Sequence, residues 1–489
     1  SFTIFLREGH RWSDGEPFDA DDIMFFWEDI ILNTELTPNV PSRFAPGGEP
    51  MQVEKLDQYT VRFEFAVPYF AILPNLSSVV FTGAQGDIFE AAHYMKQFHI
   101  DYNPDAQAEA EAAGFATWVQ NFNAQRYFWW AARADVPTMG PWRVVELVPE
   151  GTVMERNPYY YKIDTAGNQL PYIDRVVATI FNDAGTLALK MVAGEYDYQD
   201  WSTSVADFPT FFDGQEQGNY RVFMAPSLWT SIAAYSVNQN YAGDPADAEI
   251  LRDIRFRQAL SHAIDRDEVN QIVALGQGQP MQATVHPSAS FYKEEWGTAY
   301  TEYDPDLANE LLDEMGMTGR SGDGFRLRPD GQPFSLIISH VADAVPENMG
   351  VLMKEYWDAV GIRTIVSATD RTLMGQQFGS GEYMIAGWAM DGAAESAVAI
   401  GVNGYLQAWQ WGPLWNIWYS SRGEQGEVPP DDVRRMLELY REVPFMGLEE
   451  QREALIEIFD IWQEGLWRIG TIGLVPKPGI VRNGLRNVD

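Results

Sequence analysis

The chain begins with SFTIFLREGHRWSDGEPFDADDIMFFWEDI (residues 1–30), which predicts a strand, a turn and a helix in direct succession. Apolar residues alternate over 2–7 at the period of a half-buried strand. Ser-Asp-Gly at 13–15 predicts a turn, because aspartate bonds the local backbone and glycine tolerates positive φ. Asp19 is the predicted helix N-cap, so the stretch is a strand–turn–helix unit packed on a larger body. The helix has one wide apolar face, formed by Ile23, Phe26, Trp27, Ile30 and Ile31.

The length of the chain predicts several domains and no membrane span. Its 489 residues exceed what one hydrophobic core usually organises, so about two or three domains are expected. No apolar run approaches the roughly 18 residues that a membrane helix needs. Because the chain starts directly in a predicted strand, a processed or trimmed N-terminus is expected.

Charge and residue usage exclude several classes of function. The net charge of −36 repels nucleic acid and anionic membrane surfaces, so neither is an expected partner. The absence of cysteine excludes disulfides, thiolate metal sites and cysteine nucleophiles, and the six histidines are scattered, so no metal or other cofactor is predicted. Aromatic residues are abundant, with 17 Trp, 22 Tyr and 27 Phe, which indicates either aromatic cores or a ligand surface lined with rings.

Helical and strand patterns alternate along the chain, with turn residues between them. This alternation predicts an α/β protein. The aspartates at 253, 265 and 304 are further predicted helix N-caps. The principal predicted strands cover 2–7, 59–65, 141–148, 176–181, 232–237, 362–367, 383–389 and 471–476, and the principal predicted helices cover 186–193, 349–360, 433–442 and 451–462.

Several motifs resemble one known family. The stretch LREGHRWSDGEPFDADDIMFFWE (6–28) closely resembles the signature of the family 5 extracellular solute-binding proteins, which serve ABC importers of oligopeptides, dipeptides, nickel and oligosaccharides. Further motifs follow in the order of that family, so the resemblance covers essentially the whole chain. They are MGPWRVVELVPEGTVMERNPYYY (139–161), AGEYDYQD (193–200), IRFRQALSHAIDRDEVNQIVALGQGQP (254–280), YDPDLANELLDEMG (303–316) and VLMKEYWDAVGIRTIV (351–366).

The resemblance implies a two-lobed periplasmic-binding-protein fold of type II, with an extra subdomain in the first lobe and a hinge of crossing strands. Residues 1–135 would form the extra subdomain, 136–236 with 467–489 the main domain of the first lobe, and 237–466 the second lobe. Members of the family usually have several dozen residues before the signature motif. We therefore expect that the N-terminal part of the first lobe is missing from this chain.

Trp388 and Asp391 are the first candidates for ligand contact. In family members that bind peptides, an aspartate in the place of Asp391 pairs with the α-ammonium group of the peptide. Here a carboxylate can make charge-assisted hydrogen bonds to a cationic end group, and it can equally bond sugar hydroxyls. Gly-Ala-Ala at 392–394 replaces the Tyr and Pro of the family pattern, which weakens the case for strict peptide specificity. The alternative is a strand-end aspartate that caps a turn.

A tryptophan-dense segment supplies the second group of candidates. Flat indole rings stack on the apolar faces of sugars or on peptide side chains, whereas the alternative is packing inside an aromatic core. The spacing in this segment mixes period 2 with period 3–4, so one buried stripe explains only part of it. We expect one or two of these rings to face the ligand. The candidates are Trp409, Trp411, Trp415 and Trp418, with Trp201 and Trp229 as further candidates elsewhere.

Together these features predict an extracytoplasmic receptor that catalyses nothing. It would close on an oligopeptide or an oligosaccharide and deliver it to ABC permease subunits, as a monomer located in the periplasm or at the bacterial cell surface. Opine-like solutes rank behind these ligands, and nickel or haem is least favoured. The alternative is a secreted carbohydrate-active enzyme such as a glycoside hydrolase, although the chain has no GxSxG elbow, P-loop or dinucleotide fingerprint.

Overall fold

Two compact units make up the chain, Ser1–Asn182 and Asp183–Asp489. The structure is a computed structural model, and it describes residues 1–77, 88–126, 133–181, 183–341, 344–346, 348–390, 394–395, 398 and 406–488. The division into three parts at the boundaries given above stays a prediction. Among the described helices, none is both long and apolar enough to cross a bilayer.

The first unit begins with the predicted strand–turn–helix. The strand is β1, Phe2–Phe5, and the helix is α1, Ala20–Phe25, which continues as a π-helical turn over Phe26–Ile31. The carboxylate of Asp19 accepts a hydrogen bond from the amide of Asp21 at 2.9 Å, so the predicted N-cap is confirmed. Asp22 completes a capping box with Asp19. All five residues of the predicted apolar face are buried.

Two three-stranded sheets organise the first unit, with strand orders β1–β3–β2 and β4–β5–β6, and every pairing in them is antiparallel. The strands are short, and the helices pack an aromatic core around the buried face of α1. The other elements of this unit are β2 Gln52–Asp57, β3 Thr60–Glu64, α2 Ile72–Ser77, α3 Ala92–Met95, α4 Ala106–Ala112, α5 Trp118–Arg126, β4 Trp142–Val148, β5 Gly151–Arg156 and β6 Arg175–Thr179.

Helices and strands alternate in the second unit, as the sequence predicted. The strands are β7 Tyr198–Gln199, β8 Tyr220–Ala225, β9 Ser231–Val237, β10 Gln279–Pro280, β11 Leu336–Val341, β12 Thr364–Thr369, β13 Ile385–Met390, β14 Arg468–Ile469, β15 Ile472–Gly473 and β16 Lys477–Arg482. The helices are α6 Ala184–Val192, α7 Phe208–Gly218, α8 Pro245–Arg252, α9 Ile254–His262, α10 Arg266–Ala274, α11 Glu294–Thr298, α12 Pro305–Glu314, α13 Met349–Ala359, α14 Arg371–Ser380, α15 Pro413–Ser420, α16 Asp431–Glu442 and α17 Leu448–Gly465.

The main sheet of the second unit has five strands in the order β12–β11–β13–β9–β14. The strands β12, β11 and β13 are parallel, and β9 runs antiparallel to β13 and to β14. We call the edge where the three parallel strands end, at Thr369, Val341 and Met390, the carboxyl edge, and the opposite edge the amino edge. β9 begins at the carboxyl edge, because Ser231 pairs with Met390. In open α/β sheets, ligands bind outside the carboxyl ends of the strands.

A smaller sheet in the same unit has the order β7–β16–β8, and β10 pairs with β15 in a two-stranded ladder. The chain passes from β8 directly into β9 and returns from β14 and β15 into β16. Two adjacent segments, 226–230 and 470–476, therefore connect the small sheet to the main sheet.

Two aromatic rings and a glycine lie side by side across the centre of the main sheet. His340 on β11 and Tyr235 on β9 both pair with Gly387 on β13. The two rings are parallel within 10°, with centroids 6.5 Å apart. A Cβ atom at Gly387 would lie 2.9 Å from Cδ2 of His340 and 3.1 Å from Cε1 of Tyr235, so only glycine fits between them. His340 is thus held in a buried position.

Replacing His340 by glutamine is expected to reduce the acid sensitivity of folding. Burial lowers the pKa of His340 below its ordinary value of 6.5, so the folded state favours the neutral ring. Stability from this group is present above the unfolded pKa and is lost as the pH falls below about 6.5 towards the folded pKa. Urea unfolding at pH 7, 6 and 5 should show that the wild type loses more stability than His340→Gln as the pH falls. Equal losses in both proteins would contradict this assignment.

Candidate ligand-binding site

Two of the predicted ligand residues lie on neighbouring strands at the carboxyl edge. Trp388 is near the end of β13, and Trp229 lies just before the start of β9. The amide of Thr230 donates to the carbonyl oxygen of Met390 at 3.3 Å, which joins the two strand ends. Residues separated by more than 150 positions in the sequence thus meet at one end of the sheet.

Trp388 is half-buried beside a cation. The guanidinium carbon of Arg371 lies 4.9 Å from the centroid of the Trp388 ring, within the range of a cation–π contact. Arg371 is the first residue of α14, which Asp370 caps by accepting from the amide of Leu373 at 2.9 Å. Phe378 of the same helix is 6.3 Å from Trp388. The helix that follows β12 therefore places an arginine and an aromatic ring against Trp388.

The backbone at the end of β13 is bulged, and a buried arginine contacts it. The ladder between β13 and β9 shifts register between Trp388 and Met390. Arg468 on β14 has only 2% of its surface exposed, and its Nη2 donates to the carbonyl oxygens of Trp388 and Ala389 at 3.4 Å each. Asp391 follows directly but lies outside the described residues, so its role as a ligand residue stays a prediction. No local pattern marks Arg468 in the sequence, because its partners are about 80 positions away.

Trp201 and Trp229 surround a second cation, Lys477, which sequence reasoning missed. The Nζ atom of Lys477 lies 3.7 Å from the ring centroid of Trp229 and 5.4 Å from that of Trp201. Trp201 has 59% of its surface exposed, whereas Trp229 and Lys477 are half-buried. The three side chains come from three separate parts of the sequence. Their proximity is a consequence of the small sheet and could not be read from spacing.

The tryptophan-dense segment lies towards the amino edge instead. The amide of Gln239, just after β9 ends, donates to the carbonyl oxygen of Trp411 at 2.7 Å. Trp411 is fully buried and stacks on Trp467 with centroids 4.4 Å apart and planes within 11°. Trp415 is only 4% exposed. Trp411 therefore presents no surface to a ligand, whereas Trp415 contributes only a small part of its ring to the wall of a groove described below.

Trp409 and Trp418 are the more exposed rings of that segment. Trp409 is 41% exposed and meets Phe378 edge-on at 5.0 Å, while Trp418 is half-buried in α15. The structure therefore separates the predicted residues into two groups. Trp388, Trp229 and Trp201 lie at or beside the carboxyl edge, whereas Trp411 and Trp415 belong to an aromatic core.

A groove of about 600 Å³ opens at the amino edge. Two of its charged groups, Arg252 and Glu427, form an ion pair at 3.2 Å. Arg257 in its wall donates to the carbonyl oxygens of Gly465, Leu251 and Arg252, and burial lowers its pKa to about 10. These arginines are therefore engaged in holding the fold together. Within the described ranges, no group of three or more His, Cys, Asp or Glu side chains is placed to hold a metal ion.

Comparison with known proteins identifies the family. The family described as "Bacterial extracellular solute-binding proteins, family 5 Middle" matches residues 1–404. The periplasmic alpha-galactoside-binding protein of Rhizobium meliloti (strain 1021) is 26% identical over 98% of this chain and 67% of its own length. A probable ABC transporter-binding protein of Deinococcus radiodurans is 24% identical over 75% of this chain and 58% of its own length. The chain thus spans roughly two thirds or less of these relatives.

Solved structures support the same conclusion. An oligopeptide-binding protein OppA is 32% identical, with a TM-score of 0.68 over 100% of this chain and 79% of that one. The periplasmic binding protein MelB of Agrobacterium fabrum C58, solved with stachyose, is 23% identical, with a TM-score of 0.70 over 98% of this chain and 70% of that one. The predicted α/β fold of a type II periplasmic binding protein is confirmed. The chain belongs to the family 5 bacterial extracellular solute-binding proteins.

Proposed function

We propose that this protein is the extracytoplasmic receptor of an ABC importer, which captures an oligopeptide or an oligosaccharide between two lobes and delivers it to the membrane permease. The observation that carries the proposal is the carboxyl edge of the five-stranded sheet, where Trp388 and Trp229 lie together on neighbouring strands. That edge is where an open α/β sheet binds ligands. Membership in a family of solute-binding proteins supports the same function.

The remaining parts of the proposal follow the family. The lobes would follow the predicted boundaries, with 237–466 as the second lobe. We propose that the protein acts as a monomer in the periplasm or at the cell surface, and that ligand contacts bridging the lobes drive closure. Permease subunits would then recognise the closed form.

Both ligand classes have specific support. The OppA structure, which is 32% identical, is an oligopeptide-binding protein. The resemblance of the sequence to the family implies that Asp391 stands where peptide-binding members place a carboxylate. The Rhizobium relative, which aligns with 98% of this chain, is an alpha-galactoside-binding protein. Exposed indole rings suit sugars because their flat faces stack on the apolar faces of pyranose rings.

Ligand binding is expected to raise the unfolding temperature of ligand-stripped protein. Two panels separate the classes: tri- to penta-peptides, and α- and β-linked oligosaccharides including stachyose. A ligand at about 100 times its Kd should stabilise the folded state by roughly 2.7 kcal/mol, because it binds only that state. Asp391→Ala should abolish a shift caused by peptides if the carboxylate pairs with their α-ammonium group. No shift with any member of either panel would count against the receptor function.

The enzyme alternative has its own test. The family and the relatives named above are binding proteins, and we propose that this chain likewise catalyses no reaction. A panel of chromogenic glycosides incubated with the purified protein should release no chromophore. Release that scales with protein concentration would instead establish a glycoside hydrolase.

A further inference from the structure

The peptide groups of Gly470 are held on both sides by buried side chains. Gly470 follows β14 directly and begins the second connecting segment, 470–476. Its carbonyl oxygen accepts from Nη2 and Nε of Arg266, at 2.8 Å and 3.1 Å. Its amide donates to Oε1 of Gln282 at 2.8 Å. Both side chains are buried, so these bonds form away from water, where leaving a partner unpaired is costly.

The two side chains belong to one network that is built from the body of the main sheet. Arg266 is the first residue of α10, and its Nη1 donates to the carbonyl oxygens of Ser261 and Thr301 at 2.9 Å and 3.2 Å. The hydroxyl oxygen of Ser261 accepts from Nη2 of Arg266 at 2.8 Å and from Nε2 of Gln282 at 3.0 Å. Gln282 also donates to the carbonyl oxygen of Ala299 at 2.9 Å. Residues of the predicted second lobe thus hold a residue outside that lobe.

Charge strengthens this network. Burial lowers the pKa of Arg266 to about 9, so the guanidinium group is still protonated at neutral pH. Hydrogen bonds from a charged donor are stronger than those between neutral groups. The Gly470 carbonyl therefore has a charged donor on one side, and moving it away would leave that charge without one of its acceptors.

Thr471, the next residue, joins the two connecting segments to each other. Its amide donates to Oγ of Ser231 at 3.1 Å, and its hydroxyl donates to the carbonyl oxygen of Ala233 at 2.8 Å. Thr230, in the first segment, donates from its hydroxyl to the carbonyl oxygen of Thr284 at 2.7 Å. β15 then pairs with β10. Both segments are thus bound to the body of the main sheet where they leave it.

The backbone is packed tightly at Gly470 and departs from an extended path after β15. A Cβ atom at Gly470 would overlap the amide nitrogen of Ala283 and lie 2.5 Å from the carbonyl carbon of Gln282. Leu474 has a φ of +54°, in the left-handed region that residues other than glycine rarely adopt. Its amide donates to the carbonyl oxygen of Trp229 at 2.7 Å, which joins the segments again. The held part therefore ends at β15, and the two segments continue together from there.

We propose that Arg266 and Gln282 anchor Gly470 as the fixed base of the hinge, so that bending between the main sheet and the small sheet is confined to 226–229 and 474–476. Hinges are a few residues that absorb large changes in φ and ψ. A residue bonded on both sides by buried groups could absorb such a change only by breaking those bonds. Bending would thus begin several residues beyond the predicted lobe boundary at 467.

The inference rests on the proposed receptor function, since capture of a ligand between lobes is what the bending serves. It makes Arg266 and Gln282 positioning residues, which act on ligand binding only through the connecting segment. It also gives a role to the motif IRFRQALSHAIDRDEVNQIVALGQGQP (254–280), which supplies Arg266.

Spin labels measure this hinge directly, because the chain has no cysteine of its own. Met224→Cys on β8 and Val351→Cys on α13 introduce thiols at exposed positions on the small sheet and beside the main sheet. The distribution of distances between the two labels needs no ligand. In Arg266→Met, which keeps an apolar stem but loses the donors, the distribution is expected to broaden because Gly470 is released. Gln282→Leu should broaden it as well.

Arg257→Met is the matched control. Arg257 lies in the same motif, is similarly buried and likewise donates to backbone carbonyl oxygens, but those belong to Gly465, Leu251 and Arg252 and not to a connecting segment. Its loss is expected to lower stability without broadening the distribution. The comparison separates a role in the hinge from a general loss of stability.

Titration with stachyose and with a pentapeptide gives a second readout. Whichever probe the wild type binds should bind Arg266→Met several-fold more weakly, because less of the population has the binding-competent arrangement. If the distribution stays as narrow as in the wild type in both Arg266→Met and Gln282→Leu, the anchor is wrong and the receptor function stands. Equal broadening in Arg257→Met would also overturn it.

Failure of the receptor function would be seen separately. If the variants broaden as expected but the wild type binds no member of the two panels, the anchor stands and the receptor function fails. Urea unfolding shows which variants are folded. Gln282→Leu decides if Arg266→Met is unfolded, and Arg266→Lys, which keeps the charge and fewer donors, should give an intermediate width and decides if neither is folded.

Discussion

Replacing Trp411 by alanine is expected to lower the free energy of unfolding by about 4 kcal/mol, the range found for large-to-small changes in a core. The ring is fully buried and stacks on Trp467. It also meets Trp462 and Trp415 edge-on, with centroids 5.8 Å and 5.9 Å away. The backbone carbonyl oxygen of Trp411 also accepts a hydrogen bond from the amide of Gln239, just after β9. Removing the indole would leave a cavity that three large rings cannot close.

Urea unfolding of the wild type, Trp411→Ala and Trp409→Ala measures this effect with a matched control. Trp409 is two residues away and 41% exposed, so its truncation should cost no more than about 1 kcal/mol. Trp411→Phe should retain part of the packing and leave the affinity for ligand unchanged, because the ring has no exposed face. If Trp411→Phe remains as stable as the wild type but loses ligand binding, Trp411 contacts ligand and the assignment to the core is wrong.

Local signals in the sequence predicted the parts of the fold that depend on neighbouring residues. The N-caps at Asp19, Asp253 and Asp304 are confirmed, each with its side chain accepting a backbone amide two or three residues later. The opening strand and helix also match the prediction in place and type. Caps and periodicity are visible in sequence because they act within one or two turns of the chain.

The central strand β11 shows why other parts could not be predicted. Its residues, Leu336–Val341, are buried at five of six positions, so the strand lacks the alternation that marks a half-buried strand. The two-residue strand β14 is too short to have any pattern, yet it supplies the buried Arg468. Such elements are defined by their partners in the sheet rather than by their own sequence.

The candidate site was predicted only in part, because its residues are likewise brought together by strand pairing and not by local sequence. Trp388, Trp229 and Trp201 were identified as aromatic candidates for ligand contact. Trp411 and Trp415 were candidates of the same residue type, but long-range packing places them in a core. The position of Lys477 beside Trp229 depends on strand pairing between residues more than 250 positions apart, which no local pattern encodes. The sequence therefore identifies residue types that suit a ligand, whereas strand pairing determines which of those residues lie at the candidate site.

The two segments that connect the sheets are in contact at a glycine. Gly473 lies beside Thr230, and the amide of Leu474 donates to Trp229 in the adjacent segment. A Cβ atom at Gly473 would overlap the backbone carbonyl oxygen of Thr230 and lie 2.6 Å from Sδ of Met281. The thioether can move, but the carbonyl is part of the backbone of the other segment. The close approach of the segments therefore requires glycine here.

Replacing Gly473 by alanine is expected to destabilise the fold by about 3 kcal/mol, because the added methyl group pushes the two segments apart. The same displacement would move Trp229 relative to Lys477, so any ligand that the wild type binds should bind the variant several-fold more weakly. Gly322→Ala is the matched control, since a Cβ atom there meets nothing within 4 Å, and its effect should stay within about 0.5 kcal/mol. Urea unfolding measures the loss of stability, and titration with that ligand measures the loss of affinity. If the two alanine variants are equally stable, the segments can separate at little cost. The close contact at Gly473 then does not hold Trp229 beside Lys477.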